Sequence, residues 1–71
     1  GIDKALEKLQ QSPKKLPIVV EVRHQMELDA VLEKGLSFVD RVLLDNMSID
    51  ELTESVKKCQ GLLETEASGN I

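Results

Sequence analysis

Short uninterrupted runs of apolar residues alternate along this chain with longer stretches in which apolar residues recur every three or four positions. The short runs predict β-strands at residues 18–22, 41–45 and 62–66, the last continuing into Ala67-Ser68-Gly69. The longer stretches predict helices at residues 3–11, about 25–34 and about 49–59. The order helix-β-α-β-α-β favours a parallel sheet with right-handed crossovers, and therefore an α/β fold.

Local signals place the ends of these elements. Asp3 suits the N-cap or first turn of the first helix, and Ser48 with Glu51 three positions later forms a capping-box pattern. Gly35 is expected to end the second helix, and Gly61 is expected to end the third. Helical spacing predicts the inward-facing residues Ala5, Leu6, Leu9, Met26, Leu28, Val31, Leu32, Leu52, Val56 and Cys59. The proline-containing segment at residues 12–17, which includes Lys14 and Lys15, is expected to be an exposed connection.

Length and composition limit the chain to one small domain. Its 71 residues are 41% hydrophobic, and Phe38 is the only aromatic residue. An almost wholly aliphatic core suits strands of a parallel sheet. Three parallel strands leave two unpaired edges and one uncovered face, which isolated domains avoid. Because the first residue is Gly1 rather than Met, we also expect the true N-terminus to lie upstream.

Charge and cysteine content argue against several classes of function. The net charge is −4, and no basic stripe with stacking aromatic residues is present, so nucleic-acid binding is not expected. Cys59 is the single cysteine, which prevents an internal disulfide or a multi-cysteine zinc site and fits a reducing compartment. No apolar run approaches the length of a membrane span, and no signal peptide is recognised, so no membrane association is expected.

Glu21 is a carboxylate within an otherwise apolar strand. Such a group is costly to bury unless it is paired, hydrogen-bonded, protonated or metal-bound. Strand alternation puts Val20 and Val22 on one face and Glu21 on the other. Two interpretations stay open: Glu21 points outward from an edge strand, or it faces the lumen of a barrel.

Two further polar groups follow at the ends of the next strands. Asp45 lies 24 residues after Glu21, and Ser68 lies 23 residues after Asp45, about one strand-helix-strand repeat each time. Asp45 is either a structural Asx residue or a group that accepts hydrogen bonds from a sugar or reaches Mg²⁺, directly or through water. The tripeptide Ser68-Gly69-Asn70 is either an ordinary turn or an N–H-rich turn that holds a phosphate.

Other reactive or polarisable residues are interpreted as structural. His24 follows the first strand and is expected at the surface rather than in catalysis. Cys59 is expected to pack as a small core residue because no basic partner is apparent. The side chains of Met26 and Met47 are expected to pack inside.

Taken together, several segments resemble the quinolinate phosphoribosyltransferase family. They are VVEV at residues 19–22, LDAVL at 28–32, LLDNMS at 43–48 and EASGNI at 66–71, with GIDKA at 1–5 upstream. The resemblance covers essentially the whole chain but only an internal part of a family member. It implies that residues 1–71 are a fragment of the C-terminal domain, about three parallel β/α units of a TIM-like α/β barrel.

The resemblance also implies an activity. Family members are pentosyltransferases of NAD biosynthesis that join quinolinate to 5-phosphoribosyl 1-diphosphate with Mg²⁺ and release diphosphate and CO₂. By matching motif, Glu21 and Asp45 are implied as catalytic residues that contact ribose hydroxyls, with Asp45 near the metal. Ser68, Gly69 and Asn70 match the turn that holds a phosphate. A homodimer in the parent protein and a cytoplasmic location, or a plastid location after a transit peptide, are implied as well.

The chain departs from the family pattern at two places. Val19 stands where many relatives have an acidic residue, and Gly69-Asn70 stands where many have Gly-Gly. The arginines, lysines and histidine of the quinolinate pocket lie upstream in the family, so we expect the isolated chain to be inactive. Two alternatives stay open: a nicotinate phosphoribosyltransferase-type barrel, and a non-catalytic α/β interaction module.

Overall fold

The computed structural model describes residues 1–11 and 16–69 of this chain. Within these ranges helices and strands alternate, in the order α1 Ile2–Gln11, β1 Val19–Val22, α2 Gln25–Lys34, β2 Arg41–Asp45, α3 Ile49–Cys59 and β3 Glu64–Ser68. The helix-β-α-β-α-β order expected from the sequence is therefore confirmed. Residues 12–15 of the connection predicted at residues 12–17, and the site residue Asn70, lie outside the described residues.

The three strands form one parallel sheet in the order β1-β2-β3. Four rows of aligned residues cross the whole described sheet, and two of them share one face: Val19, Arg41 and Glu64 form one, and Glu21, Leu43 and Glu66 form the other. Asp45 is aligned with Ser68 two residues further along the strands, on the same face. Parallel pairing brings the carboxyl ends of all three strands to one edge of the sheet, which we call the carboxyl edge.

The two faces of the sheet differ in burial. Val20, Val22, Val42 and Leu44 alternate along β1 and β2 and are all buried, with Leu6, Leu28 and Val31 of the helices in the same core. The other face, which we call the open face, carries Val19, Glu21, Arg41, Leu43, Asp45, Glu64, Glu66 and Ser68. In the described part of the chain no helix covers this face, as the sequence predicted.

Helix α3 has the predicted bounds and the predicted cap. Ser48 accepts a hydrogen bond from the Glu51 amide, and the Glu51 side chain accepts one from the Ser48 amide, at 3.2 Å each. The inward face of α3, however, differs from the prediction. Val56 is 46% exposed, whereas Ser55 is fully buried and bonds to Gln25 and Met47. The buried stripe follows Leu52, Ser55 and Cys59 because Ser55 finds hydrogen-bond partners that satisfy its hydroxyl.

The predicted packing of Met26 and Ala5 is wrong. Met26 is 78% exposed in the first turn of α2, and Ala5 is exposed on α1. In α2 the inward stripe is formed by Leu28 and Val31. The prediction for Met47 is confirmed, since its side chain is buried beneath α3.

Strands β1 and β3 both begin later than predicted. Leu62 and Leu63 donate their amides to the Cys59 carbonyl at 2.8 and 2.9 Å, so the end of α3 still holds residues that the sequence placed in β3. Leu62 is consequently exposed in a turn. Ile18 precedes β1, because its amide donates to the Asp40 carboxylate at 2.7 Å.

Gly35 ends α2, but not in the way the sequence predicted. Its φ is −110°, so the left-handed conformation of a C′ glycine is absent at this residue. A Cβ atom at Gly35 would lie 2.9 Å from the Val31 carbonyl oxygen and 3.1 Å from Val39. Glycine at position 35 therefore allows the end of α2 to lie close to the following loop.

No helix in the described ranges is long and apolar enough to cross a membrane.

The capping box of α3 predicts a stability effect. Ser48→Ala removes the side-chain acceptor of the Glu51 amide, and we expect the free energy of unfolding to fall by about 1 kcal/mol. Urea unfolding followed by circular dichroism measures this. Thr53→Ala is the matched control, because Thr53 is an exposed hydroxyl residue of the same helix that bonds only back to the Ile49 carbonyl. A loss of equal size in both variants would contradict the capping role of Ser48.

Candidate functional site

The carboxyl edge collects the site residues that the sequence predicted. Glu21 and Asp45 lie on the open face near the ends of β1 and β2, and Ser68 ends β3 in register with Asp45. Gly69 follows Ser68. In open parallel sheets ligands bind outside the carboxyl ends of the strands, so this edge is the candidate functional site.

The ends of β2 and β3 are joined by a close backbone contact. The Asn46 amide donates to the Ser68 carbonyl at 2.9 Å, with Asn46 at a φ of 54°. Gly69 has a φ of +85°, and a Cβ atom there would lie 2.8 Å from the Asn46 nitrogen and 2.9 Å from Oδ1 of Asp45. Glycine is required both for the left-handed conformation and for the approach of the Asp45 carboxylate. The sequence had indicated either an ordinary turn or a phosphate-holding turn at Gly69, but not its closeness to Asp45.

Arg23 joins the two candidate catalytic carboxylates. Its Nη2 lies 3.2 Å from Oε1 of Glu21, and its Nε lies 3.5 Å from Oδ2 of Asp45. Glu21 is 46% exposed and Asp45 24% exposed, so both acids are accessible and share one counter-charge. Glu21 thus lies on the open face of an edge strand of the described sheet. Its carboxylate is half-exposed and paired with Arg23, so no unpaired charge is buried there. Sequence reasoning missed Arg23, although its position two residues after Glu21 places it on the same face of an extended chain.

Both helices that begin at the carboxyl edge carry a glutamate in the first turn whose side chain accepts a backbone amide just before the helix. The Arg23 amide, just before α2, donates to Oε1 of Glu27 at 2.8 Å. At α3 the Glu51 side chain accepts the amide of the N-cap residue Ser48, and the Ser48 hydroxyl accepts the Glu51 amide. Helix N-termini are common phosphate sites because their amides are unpaired and their dipole favours anions. At α2 and α3 a glutamate in the first turn already supplies negative charge, which makes an additional anion less favourable there.

His24 lies at the surface and Cys59 packs in the core, as predicted. His24 is exposed before α2, and its nearest ionic partner is Glu27 at 3.8 Å. Cys59 is fully buried, and burial raises the pKa of its thiol. A thiol with a raised pKa holds little thiolate at neutral pH, so Cys59 is a packing residue rather than a nucleophile.

A concavity of about 790 Å³ lies at the opposite, amino-terminal edge of the sheet. It is lined by Val19, Arg41, Leu62 and Glu64 among others. Arg41 is held there by Glu64 at 2.7 Å and more loosely by Glu66 at 3.5 Å. This concavity is separate from Asp45, Ser68 and Gly69. Because ligand chemistry in parallel α/β folds concentrates at the carboxyl ends, we assign it no functional role.

The donor set at the carboxyl edge decides which kind of metal site is possible. Within residues 1–11 and 16–69 no group of three or more His, Cys, Asp or Glu side chains could hold a metal ion. Magnesium in phosphate-handling sites usually takes one or two carboxylates and completes its shell with water and substrate phosphates. Asp45, accessible and close to the Gly69 turn, fits that second kind of site.

The contact between Gly69 and Asp45 predicts a difference between two glycines in the left-handed region. Gly61→Ala meets no atom within 4 Å, so we expect only the backbone cost of about 1 kcal/mol. Gly69→Ala adds a steric conflict with Asp45 and Asn46, and we expect a further loss of about 1–3 kcal/mol. Urea unfolding measures both losses, and amide NMR shifts at Asp45 and Asn46 report the displacement. Equal losses without those shifts would contradict the contact.

One comparison with known proteins identifies the family. The family model described as "Quinolinate phosphoribosyl transferase, C-terminal domain" matches residues 1–71, the full length of the chain. The chain therefore belongs to this family of phosphoribosyl transferases, and the resemblance recognised from its sequence motifs is confirmed. Its three parallel strands and three helices are compatible with β/α units of the family's barrel domain.

Proposed function

We propose that this member of the quinolinate phosphoribosyl transferase family forms the sugar-phosphate half of an active site that makes nicotinate mononucleotide. The substrates are quinolinate and 5-phosphoribosyl 1-diphosphate, and the products include diphosphate and CO₂. The observation that carries the proposal is the meeting of Glu21 and Asp45 with the Ser68-Gly69 turn at one sheet edge.

The proposed reaction exchanges the groups on the anomeric carbon. The bond between this carbon and the diphosphate oxygen breaks, and its electron pair leaves with diphosphate. The lone pair of the quinolinate ring nitrogen forms the new C–N bond. Loss of the carboxylate at ring carbon 2 as CO₂ leaves an electron pair there, which takes up a proton. Positive charge thus develops at the sugar and negative charge at the leaving group.

Glu21 and Asp45 suit the sugar side of this reaction. Their carboxylates accept hydrogen bonds from ribose hydroxyls and stabilise positive charge developing at the anomeric carbon. Asp45 lies close against the Gly69 turn, which limits the positions that its carboxylate can take before substrate arrives. Preorganisation of this kind accounts for much of the catalytic effect of electrostatic groups.

The turn after β3 suits the phosphate side. Ser68 and Gly69, with Asn70 beyond the described residues, offer a hydroxyl and backbone amides to a phosphate group. Asp45 would hold Mg²⁺, directly or through water. When bound, Mg²⁺ neutralises charge on the diphosphate as it leaves.

We further propose that residues 1–71 are part of a longer C-terminal domain with a TIM-like barrel. The open face, with its polar rows, would then face the barrel lumen, and further strands would pair with the free edges of β1 and β3. The quinolinate pocket would come from upstream segments and from the partner subunit of a homodimer. The fragment alone would be inactive.

The two alternatives are distinguished by different observations. A nicotinate phosphoribosyltransferase-type barrel would share the sugar-phosphate half and differ in the base pocket, and the family match favours the quinolinate enzyme. A non-catalytic interaction module would use Glu21 and Asp45 only structurally. Exposed carboxylates paired to an exposed arginine favour a ligand-binding role over a structural one, because surface ion pairs contribute little stability.

Substitution of the two carboxylates tests the proposal in the full-length protein that carries this chain. We expect Glu21→Gln and Asp45→Asn each to lower kcat for nicotinate mononucleotide formation about a hundredfold or more, because each removes a preorganised negative charge. Steady-state kinetics with both substrates measures this. Glu64→Gln is the matched control, since Glu64 lies on the same open face at the opposite edge. Turnover that is unchanged in all three variants would support the interaction module.

The isolated 71-residue chain provides a second test. We expect it to form no nicotinate mononucleotide, because the base pocket is proposed to come from other segments. Addition of Mg²⁺ and 5-phosphoribosyl 1-diphosphate should shift the amide NMR signals of Asp45, Ser68 and Gly69. Product formation by the isolated chain would disprove the proposed division of the site.

A further inference from the structure

We propose that Arg23 binds the diphosphate group of the sugar substrate and releases the Glu21 and Asp45 carboxylates as it does so. This inference rests on the proposed function and adds to it a cationic contact for the leaving group. It assigns the binding of the leaving group to a side chain of this chain.

The contacts of Arg23 are those of a residue whose donors are still available. Its ion pairs with Glu21 and Asp45 measure 3.2 and 3.5 Å, whereas charge-assisted hydrogen bonds from guanidinium to carboxylate measure about 2.7–2.9 Å. The side chain is 71% exposed. A planar guanidinium presents five N–H donors in a fork that matches phosphate oxygens. An arriving phosphate group can therefore form shorter bonds to Arg23 than the two carboxylates do.

The surroundings narrow the choice of anion-binding groups at the carboxyl edge. Glu27 and Glu51 place negative charge in the first turns of α2 and α3, which disfavours an additional anion at those helix N-termini. Among the described residues at this edge, the Ser68-Gly69 turn and the exposed Arg23 side chain are then better suited to anions than the two helix N-termini. A sugar carrying two separate phosphate groups needs two such contacts.

The position of Arg23 selects the diphosphate rather than the other phosphate. Arg23 lies between Glu21 and Asp45, the groups proposed to face the anomeric carbon, and the diphosphate is bonded to that carbon. The turn after β3 is left for the phosphate at the far end of the sugar. A cation placed between the carboxylates would weaken their stabilisation of positive charge at carbon 1. Transfer of the guanidinium to the diphosphate removes this conflict as the carbon–oxygen bond breaks.

Arg41 offers a matched comparison on the same open face. It is held at 2.7 Å by Glu64, a normal charge-assisted distance, and its row lies at the amino-terminal edge. The Arg41 guanidinium is therefore committed to a partner away from the candidate site. Substitution of Arg41 changes the net charge as much as substitution of Arg23 does, but not the charge at the carboxyl edge.

The test compares Arg23→Gln, Arg23→Lys and Arg41→Gln in the full-length protein. For Arg23→Gln we expect the KM for 5-phosphoribosyl 1-diphosphate to rise roughly tenfold to a hundredfold, the effect of one lost hydrogen bond to a charged group. Calorimetric titration with inorganic diphosphate should show an equal loss of affinity, while the KM for quinolinate stays unchanged. Arg23→Lys keeps the positive charge but lacks the forked N–H donors of the guanidinium, so we expect a loss of diphosphate affinity smaller than that of Arg23→Gln. Arg41→Gln should leave all these values unchanged.

Three outcomes would overturn the proposal for Arg23. They are an unchanged diphosphate affinity in Arg23→Gln, a fall in kcat without a change in that affinity, and an equal loss in Arg41→Gln. If Arg23→Gln fails to fold, diphosphate titration of Arg23→Lys decides, since full wild-type affinity there would exclude a fork-specific contact. Absence of product from the wild-type protein would instead disprove the proposed function, and diphosphate titration would still decide the role of Arg23.

Discussion

Parallel pairing of β2 with β3 places Asp45 directly beside Ser68, and the rest of the carboxyl edge depends on this register. Successive strand residues point to opposite faces, so a slip of one residue would move Asp45 into the core and Leu44 onto the open face. The burial of Val42 and Leu44 against the helices therefore fixes the register. The apolar face of the sheet thus determines where the polar groups of the other face meet.

The helices that hold this sheet are linked by polar contacts as well as by apolar packing. Gln25 of α2 donates to Ser55 of α3 at 2.8 Å, and Lys58 bonds to both Gln25 and Asp29 at 2.8 and 2.9 Å. The Ser55 hydroxyl is fully buried and also contacts the Met47 sulfur at 3.4 Å. These directional bonds fix how α2 and α3 lie against each other, and so fix where the loops at the carboxyl edge begin.

Charge at the carboxyl edge is arranged in two ways. Glu27 and Glu51 accept the amides of Arg23 and Ser48 just before α2 and α3, and their negative charge in the first turn stabilises those helices. Glu21 and Asp45 are instead loosely paired with the exposed Arg23. The exposed Arg23 thus lies next to the two carboxylates of this acidic chain, which suits a ligand that brings both a sugar and phosphate groups.

The sequence by itself determined the order of the elements, the bounds of α3, its capping box and the family, because these depend on neighbouring residues and on local motifs. The sequence also placed Glu21 on the sheet face opposite to that of Val20 and Val22, because successive residues of a strand alternate between the two faces. Only the tertiary structure decided that Arg23 reaches Asp45 and that Gly69 contacts the same carboxylate. Those contacts join residues more than 20 positions apart. They arise from the packing of one β/α unit beside the next, which no local pattern encodes.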